Sequence, residues 1–361
     1  MKEKHKKKVL IFTDIRSKNK ELDVIIPTYN SQKTIIRTLK SLDYTVIKNI
    51  IIIDDNSSDN TYEIIKSFFK NIKWKMVKKE KINAKKGVAS SRNIGMNLAS
   101  AKYVHFLDSD DWLENNMQKI MLKKIKETKS DIVFCGFKRI SEKGKILWNY
   151  EESYSYFEGI KNGKDVVKDF LLSKIWLHTI TTIYKKDLLI KNQISYPEEY
   201  KHGEDQFFEI LALLNSEKVV SVSMTLANYY INQNSITRNV GIEIIDSVKI
   251  FWELKKYLDN IKQEDNKIIE ILNIIENYKI PYLTVRAMIK LSPKNEEYYK
   301  ALSFLYREEL ILKNISILDK THKKRIVYFL YQLLKKHPKL FKLFFSLLIS
   351  LFGEKIFYKY I

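Results

Sequence analysis

The chain alternates short apolar runs with helix-spaced apolar positions over residues 22–126. Leu22 to Pro27 is β-branched, with Asp23 as its only charge, and predicts a buried strand. Ile35, Ile36, Leu39 and Leu42 then recur at helical spacing, and Ile50 to Ile53 predicts a second buried strand. Ile64, Ile65, Phe68 and Phe69 mark the next helix. Lys73 to Lys78 alternates and predicts a third strand near a sheet edge. Val88, Ala89, Ile94, Leu98 and Ala99 mark a third helix, Tyr103 to Leu107 a fourth strand, and 114–126 a further helix. This βαβαβαβ order predicts an α/β fold with a mostly parallel sheet flanked by helices. Residues 130–238 are mixed, with a strand over 131–137 and a helix within 154–174. Residues 241–361 predict an all-helical C-terminal region.

Composition narrows this picture. Of the 361 residues, 45% are hydrophobic, which excludes a disordered chain and leaves room for two domains or one with an appendage. The single cysteine, Cys135, excludes a disulfide framework and a cysteine zinc cluster. The net charge of +21 is concentrated at the ends: residues 1–20 carry a surplus of six positive charges and 321–361 a surplus of eight. Basic ends on an ordinary middle point to an anionic partner, nucleic acid or membrane surface. The apolar run Val9 to Phe12 is too short for a secretory signal, and no stretch predicts a membrane-spanning helix. The expected location is the cytoplasm, free or at a membrane face.

Polar residues gather where the strands end. Strand one runs into Pro27-Thr28-Tyr29-Asn30, strand two into Asp54-Asp55-Asn56-Ser57-Ser58-Asp59, and strand four into Asp108-Ser109-Asp110-Asp111. In an open parallel sheet ligands bind outside the carboxyl ends of the strands, so these segments predict one functional rim. Helix capping explains one such cluster but not three. Neighbouring carboxylates repel, and a hard divalent cation shared with diphosphate oxygens relieves that repulsion. Neither a GxGxxG after strand one nor a P-loop is present, so phosphates must be met by metal and scattered cations, with Arg92 the leading side chain.

The segments VIIPTYN, IIIDDNSSDNT, GVASSRNIGMNLASAKYVHFLDSDDW and HGEDQFF, in this order, resemble the successive signatures of family 2 glycosyltransferases of the GT-A fold. The resemblance covers about residues 22–238 and implies an inverting transfer of a sugar from a nucleoside diphosphate, a UDP-sugar first, to a hydroxyl of a growing, often lipid-linked, surface glycan. It implies that Pro27, Thr28 and Tyr29 line the nucleoside pocket and that Asp55 bonds the uracil ring. Arg92 falls beside the donor's diphosphate. Asp110 falls as ligand of a divalent metal, Mn²⁺ or Mg²⁺, and Asp108 as the ribose or sugar contact, with Asp111 supporting either. Asp205 falls as general base with Glu204 beside it, and Arg238 near phosphates or acceptor. The implied organisation is a basic extension over 1–20, a GT-A domain over 21–240, and a helical region over 241–361. Nucleotidyl transfer, or a non-catalytic basic protein binding membrane or nucleic acid, are the competing classes.

The C-terminal surplus is interleaved with Phe, Leu and Ile. Lys339, Lys342, Ser346 and Ser350 form one narrow polar stripe on an otherwise apolar helix too short to span a bilayer. Such a segment suits a membrane interface at the inner face of the cell membrane, which makes nucleic acid the weaker anionic partner. Docking on the enzyme's own helices, or a homodimer contact, are the other uses of this tail.

Overall fold

The computed structural model describes residues 6–14, 19–70, 75–231, 241–262, 265–312 and 322–352. They form two compact units, residues 1–198 with 208–232, and residues 199–207 with 233–361.

The first unit is a ten-stranded mixed sheet. Its strands are β1 (Lys6–Thr13), β2 (Leu22–Thr28), β3 (Ile47–Asp54), β4 (Lys75–Asn83), β5 (Tyr103–Phe106), β6 (Trp112–Leu113), β7 (Ile132–Ser141), β8 (Ile146–Asn149), β9 (Thr182–Lys185) and β10 (Val219–Ile231). Their order is β4–β1–β3–β2–β5–β9–β7–β10–β6, with β8 on β7. Pairing is parallel for β2 with β3 and β5, and for β7 with β10. It is antiparallel where β9 joins β5 to β7. The flanking helices are α1 (Ile35–Lys40), α2 (Thr61–Lys70), α3 (Val88–Leu98), α4 (Met117–Thr128), α5 (Gly163–Leu171), α6 (Lys186–Lys191) and, from Phe208 on, α7 (Glu204–Leu214).

The strands expected from the apolar runs form within a few residues of their expected limits. No pattern announced β6, β8, β9 or β10, nor the first strand, β1. It lies between β3 and β4 and runs antiparallel to both. Its apolar core Val9-Leu10-Ile11-Phe12 pairs with Ile53-Ile52-Ile51-Ile50, so four residues of each strand share both faces of the sheet. On one face Leu10, Phe12, Ile50 and Ile52 join Ile35, Leu39, Ile65 and Phe69 in the core, and the Phe12 and Phe69 rings stack at 3.7 Å. On the other, α3 packs so closely on β2 that a Cβ at Gly95 would overlap the Ile25 side chain.

Asp23, the one charge in the β2 run, is fully buried. Its Oδ1 accepts from Asn49 N at 3.1 Å and Asn49 Nδ2 at 2.8 Å. Its Oδ2 accepts from Ser100 N at 2.5 Å and Ala101 N at 2.8 Å. Four donors make burial of the carboxylate tolerable and tie β2 to β3 and to the turn before β5.

The second unit is helical: α8 (Asp246–Ile261), α9 (Asn266–Ile274), α10 (Ile280–Leu291), α11 (Asn295–Arg307), α12 (His322–Lys336) and α13 (Pro338–Phe352). A π-helical turn, Ile275–Lys279, joins α9 to α10. Pro281 follows it, and the widened turn lies where a proline ring would crowd the carbonyl one turn back. Helix α10 packs against α8, α11, α12 and α13.

Helix α13 faces the reverse of the simplest amphipathic arrangement. Phe341 and Phe345 are buried, Ser346 Oγ donates to Ser292 O at 2.6 Å, and Lys342 Nζ lies 5.9 Å from the Tyr298 and Tyr299 rings. Two members of the polar stripe therefore face the unit, while Leu340, Leu343, Phe344, Leu347 and Leu351 are 48–68% exposed. No helix among the described residues is long and apolar enough to cross a membrane.

The Asp23 network generates a stability prediction. Asp23→Ala should lower the unfolding free energy by about 2–4 kcal/mol, since it strands several buried donors at once. Urea unfolding monitored by tryptophan fluorescence measures it; a loss within experimental error of zero would refute the account.

Candidate functional site

The carboxyl ends of β2, β3 and β5, with the N-terminus of α3, make the rim. Asn30 and Asn56 take positive φ, 48° and 64°, which asparagine tolerates, and these residues turn the chain sharply out of β2 and β3. The two loops then bind each other. Asn30 N donates to Ser57 Oγ at 2.9 Å, Ser58 N to Asn30 Oδ1 at 2.9 Å, and Asp55 N to Thr28 O at 2.8 Å. Pro27 and Thr28 are buried at the end of β2, whereas Tyr29 is exposed, with Lys86 Nζ 5.2 Å from its ring centre.

Asp55 is buried and fully engaged. Its Oδ2 accepts from Gly87 N at 2.8 Å, and its Oδ1 lies 2.8 Å from Lys7 Nζ. Gly87 precedes α3 at φ 120°, a conformation that a side chain would strain. Four residues into α3, Arg92 is buried and donates from Nη2 to Asp108 Oδ1 at 2.7 Å, and its guanidinium lies 5.1 Å from the Tyr196 ring centre.

The Asp108–Asp111 loop is held from beneath by α1. Thr34 Oγ1 and Thr38 Oγ1 donate to Ser109 O at 2.9 and 3.0 Å, and Thr38 Oγ1 reaches Asp111 O at 2.7 Å. The Ser31 and Ser109 hydroxyls meet at 2.6 Å. Arg37 Nη2 donates to Asp110 O at 2.9 Å, while its guanidinium sits 3.8 Å from the Trp112 ring centre and 4.5 Å from that of Tyr230. Trp112 thus packs under the loop. Asp111 is fully buried and accepts from Tyr230 N at 2.7 Å.

Burial, and then the charge of Asp108, push the Asp110 carboxyl up to about 6. Burial, then Asp110 and Asp108, raise Asp111 well above the carboxylate range. The loop therefore carries more negative charge than its surroundings welcome, which is the condition a cation relieves. No group of three His, Cys, Asp or Glu is gathered as a metal cage among the described residues. Asp110 fits instead a cation completed by substrate oxygens, while Asp108 Oδ1 is already met by Arg92.

Glu204 and Asp205 lie in the second unit, in the first turn of α7. Gly203 precedes them at φ 92°. Asp205 Oδ1 accepts from Gln206 N at 2.7 Å. Nearby, Lys279 of the π-helical turn is buried and its ammonium is lowered to about 8, chiefly by burial and next by Arg286, with Asp205 acting in the opposite direction. His202 is lowered too, first by burial. Arg238 lies outside the described residues. Cys135 is buried in β7. His178 Nδ1 accepts from Ile180 N at 3.4 Å, a structural role.

A family model described as glycosyl transferase family 2 matches residues 23–184. The poly(ribitol-phosphate) β-N-acetylglucosaminyltransferase TarP of Staphylococcus aureus strain N315 is 31% identical over 248 residues, which is 65% of this chain and 72% of TarP. The chain belongs to glycosyl transferase family 2. Glycosyltransferase GlyA of Streptococcus pneumoniae serotype 4 is 29% identical over 60% of this chain, and TarS of S. aureus strain MW2 31% over 58%. The chain spans about a third of the length of both, 32% of GlyA and 35% of TarS. The crystal structure of S. aureus TarS residues 1–349 with UDP-GlcNAc superposes with a TM-score of 0.65 at 21% identity, over 91% of each chain, and shows the GT-A fold.

Sequence reasoning placed the segments 27–30, 54–59 and 108–111 of this glycosyltransferase on one rim and named Arg92 as the cation for the phosphates; Arg92 does meet Asp108 there, and Tyr29 is exposed. The same reasoning missed Lys7, Arg37 and Lys279. Arg37 sits one residue from the apolar positions of its helix and carries no motif. Lys279, in IIENYKIPYL, had one signal, a lone lysine within a strongly apolar stretch.

Asp110 generates a linkage prediction. Its carboxyl is raised in the fold, so between about pH 4 and 6 the folded, metal-free protein holds a proton that the unfolded chain has released. That proton's stabilising effect is lost as pH rises through about 6. Asp110→Asn should therefore stabilise the metal-free protein at pH 7 by about 1–3 kcal/mol, a gain that fades towards pH 4. Thermal unfolding across that range checks it, and a destabilised variant at pH 7 would contradict it.

Proposed function

We propose that this glycosyltransferase moves a sugar from a UDP-sugar to a hydroxyl of a cell-surface glycan with inversion. The observation that carries the reading is the single rim on which Asp55, Arg92, Asp108 and Asp110 stand together. Asp55 binds the base, Pro27, Thr28 and Tyr29 border the nucleoside, and Asp108 contacts the ribose or sugar. Arg92 faces the diphosphate. Asp110, with Asp111 behind it, holds a divalent cation, Mn²⁺ or Mg²⁺. When bound, that cation supplies electrostatic stabilisation of the leaving diphosphate. Asp205, in the first turn of α7, takes the proton of the attacking hydroxyl. Glu204 borders the acceptor. The TarS structure holds UDP-GlcNAc, and TarS and TarP are named for poly(ribitol-phosphate), an anionic polymer. A net charge of +21 suits an anionic acceptor of that kind, free or lipid-linked.

Asp110→Ala and Asp205→Ala should each lower transfer by about 10²–10⁴-fold with circular dichroism unchanged. Release of UDP from a panel of UDP-sugars, with and without Mn²⁺, reads this out. Full turnover by either folded variant would remove that residue from the assignment.

We further infer that the enzyme rests on an anionic membrane, at the inner face of the cell membrane, through α13. Its outward Leu340, Leu343, Phe344, Leu347 and Leu351 form an apolar stripe one helix face wide. Residues 322–352 contain seven Lys and Arg and no Asp or Glu, the charge complement of an anionic leaflet. Leu343→Glu with Leu347→Glu should cut sedimentation with phosphatidylglycerol vesicles at least about tenfold, since two buried leucines contribute about 3 kcal/mol or more. Unchanged sedimentation would sink the idea. A dimer seen without vesicles and lost in the variant would give the face to a second copy instead.

A further inference from the structure

Lys7 is the fully buried ammonium of the rim, and it belongs to β1, a strand that no sequence pattern announced. Antiparallel pairing with β3 sets the start of β1 against the carboxyl end of β3, with Lys8 opposite Asp54. The Lys6-Lys7-Lys8 run therefore arrives where the acidic loop begins. Alternation sends neighbouring lysines to opposite faces. Lys8 Nζ lies 3.4 Å from Asp54 Oδ2, while Lys7 turns to Asp55.

The three N–H groups of Lys7 have three partners at the same distance. Nζ lies 2.8 Å from Asp55 Oδ1, from Gly87 O and from Ser91 Oγ. An ammonium has three donors, so none is left for a ligand. Lys7 therefore acts through what it holds. Asp55 Oδ2 is held in turn by Gly87 N, so lysine, carboxylate and the start of α3 form one closed set of contacts. Burying an ammonium is costly without a counter-charge, and Asp55 supplies it.

We propose that Lys7 is a specificity-determining positioning residue of the base pocket, fixing Asp55 as an acceptor-only anion. The proposal rests on the reading of Asp55 as the base-binding carboxylate. Its chemical content is a choice between pyrimidines. Uracil presents N3–H, a donor, to such a carboxylate. Cytosine presents a bare N3 lone pair at the same place and is repelled. A carboxyl without its ammonium can take up a proton and turn it towards cytosine N3, so the choice relaxes.

The test is calorimetric titration of the full-length protein with UDP and with CDP, in Mn²⁺, for wild type, Lys7→Met, Lys7→Gln and Asp55→Asn, each with a melting curve. Wild type should prefer UDP. In the Lys7 variants the ratio of the two dissociation constants should fall by about 10–100-fold, the loss of one charge-assisted hydrogen-bonding arrangement. Should Lys7→Met not fold, Lys7→Gln, which keeps polar contacts without the charge, carries the measurement. A purely structural lysine would weaken both nucleotides alike, so an unchanged ratio beside a damaged Asp55→Asn overturns the proposal and leaves the reading of Asp55 standing. Wild-type UDP binding by Asp55→Asn overturns both.

Discussion

The rim concentrates carboxylates at the ends of β3 and β5, and their partial burial sets the terms for much of the first unit. Asp54 and Asp55 adjoin, and so do Asp110 and Asp111. Charges at that spacing repel, and the interior does little to screen them. Most are met by a cation or a ring of donors: Lys8 for Asp54, Lys7 for Asp55, Arg92 for Asp108. Arg37 adds a positive charge beneath the loop, clamped between two aromatic rings. Asp110 and Asp111 keep an excess after these contacts, and both remain biased towards the neutral form. Three of the compensating cations come from different elements, β1, α1 and α3. Those elements are thereby drawn to the same rim for electrostatic as well as apolar reasons.

The parallel core and its rim were legible in the sequence because both rest on local signals. A buried strand reads as a β-branched run, and a ligand-facing loop reads as a polar cluster directly after it. The contacts of Arg37 were not legible, since they depend on what α1 faces, and periodicity gives a face without naming its neighbour. The strand β1 was hidden for a different reason. Four apolar residues behind a lysine run look like a charged tail, and only the pairing with Ile50–Ile53 shows why each alternate position must be apolar. Its lysines read as surplus charge until the acidic ends they meet are known.

The helical region shows the same limit. Helix α13 is amphipathic in sequence, and its polar stripe was readable residue by residue. Which side faces the unit was not. Ser346 and Lys342 find partners on α10 and α11 and their surroundings, so part of the polar side turns inward and an apolar side is left to the outside. Likewise, Lys279 is buried within a π-helical turn beside Pro281, a feature of helix geometry that hydrophobic spacing does not encode.

The place of β1 has a consequence for how the sheet comes together. Edge strand β4 touches the sheet through β1. Both partners of β1 follow it in the chain, on the far side of β2, so it leaves the ribosome before either neighbour exists. Its pairing with β3 and β4 closes loops that pass over β2 in the chain. Until that pairing forms, β3 has an open edge and Asp55 has no Lys7 to neutralise it.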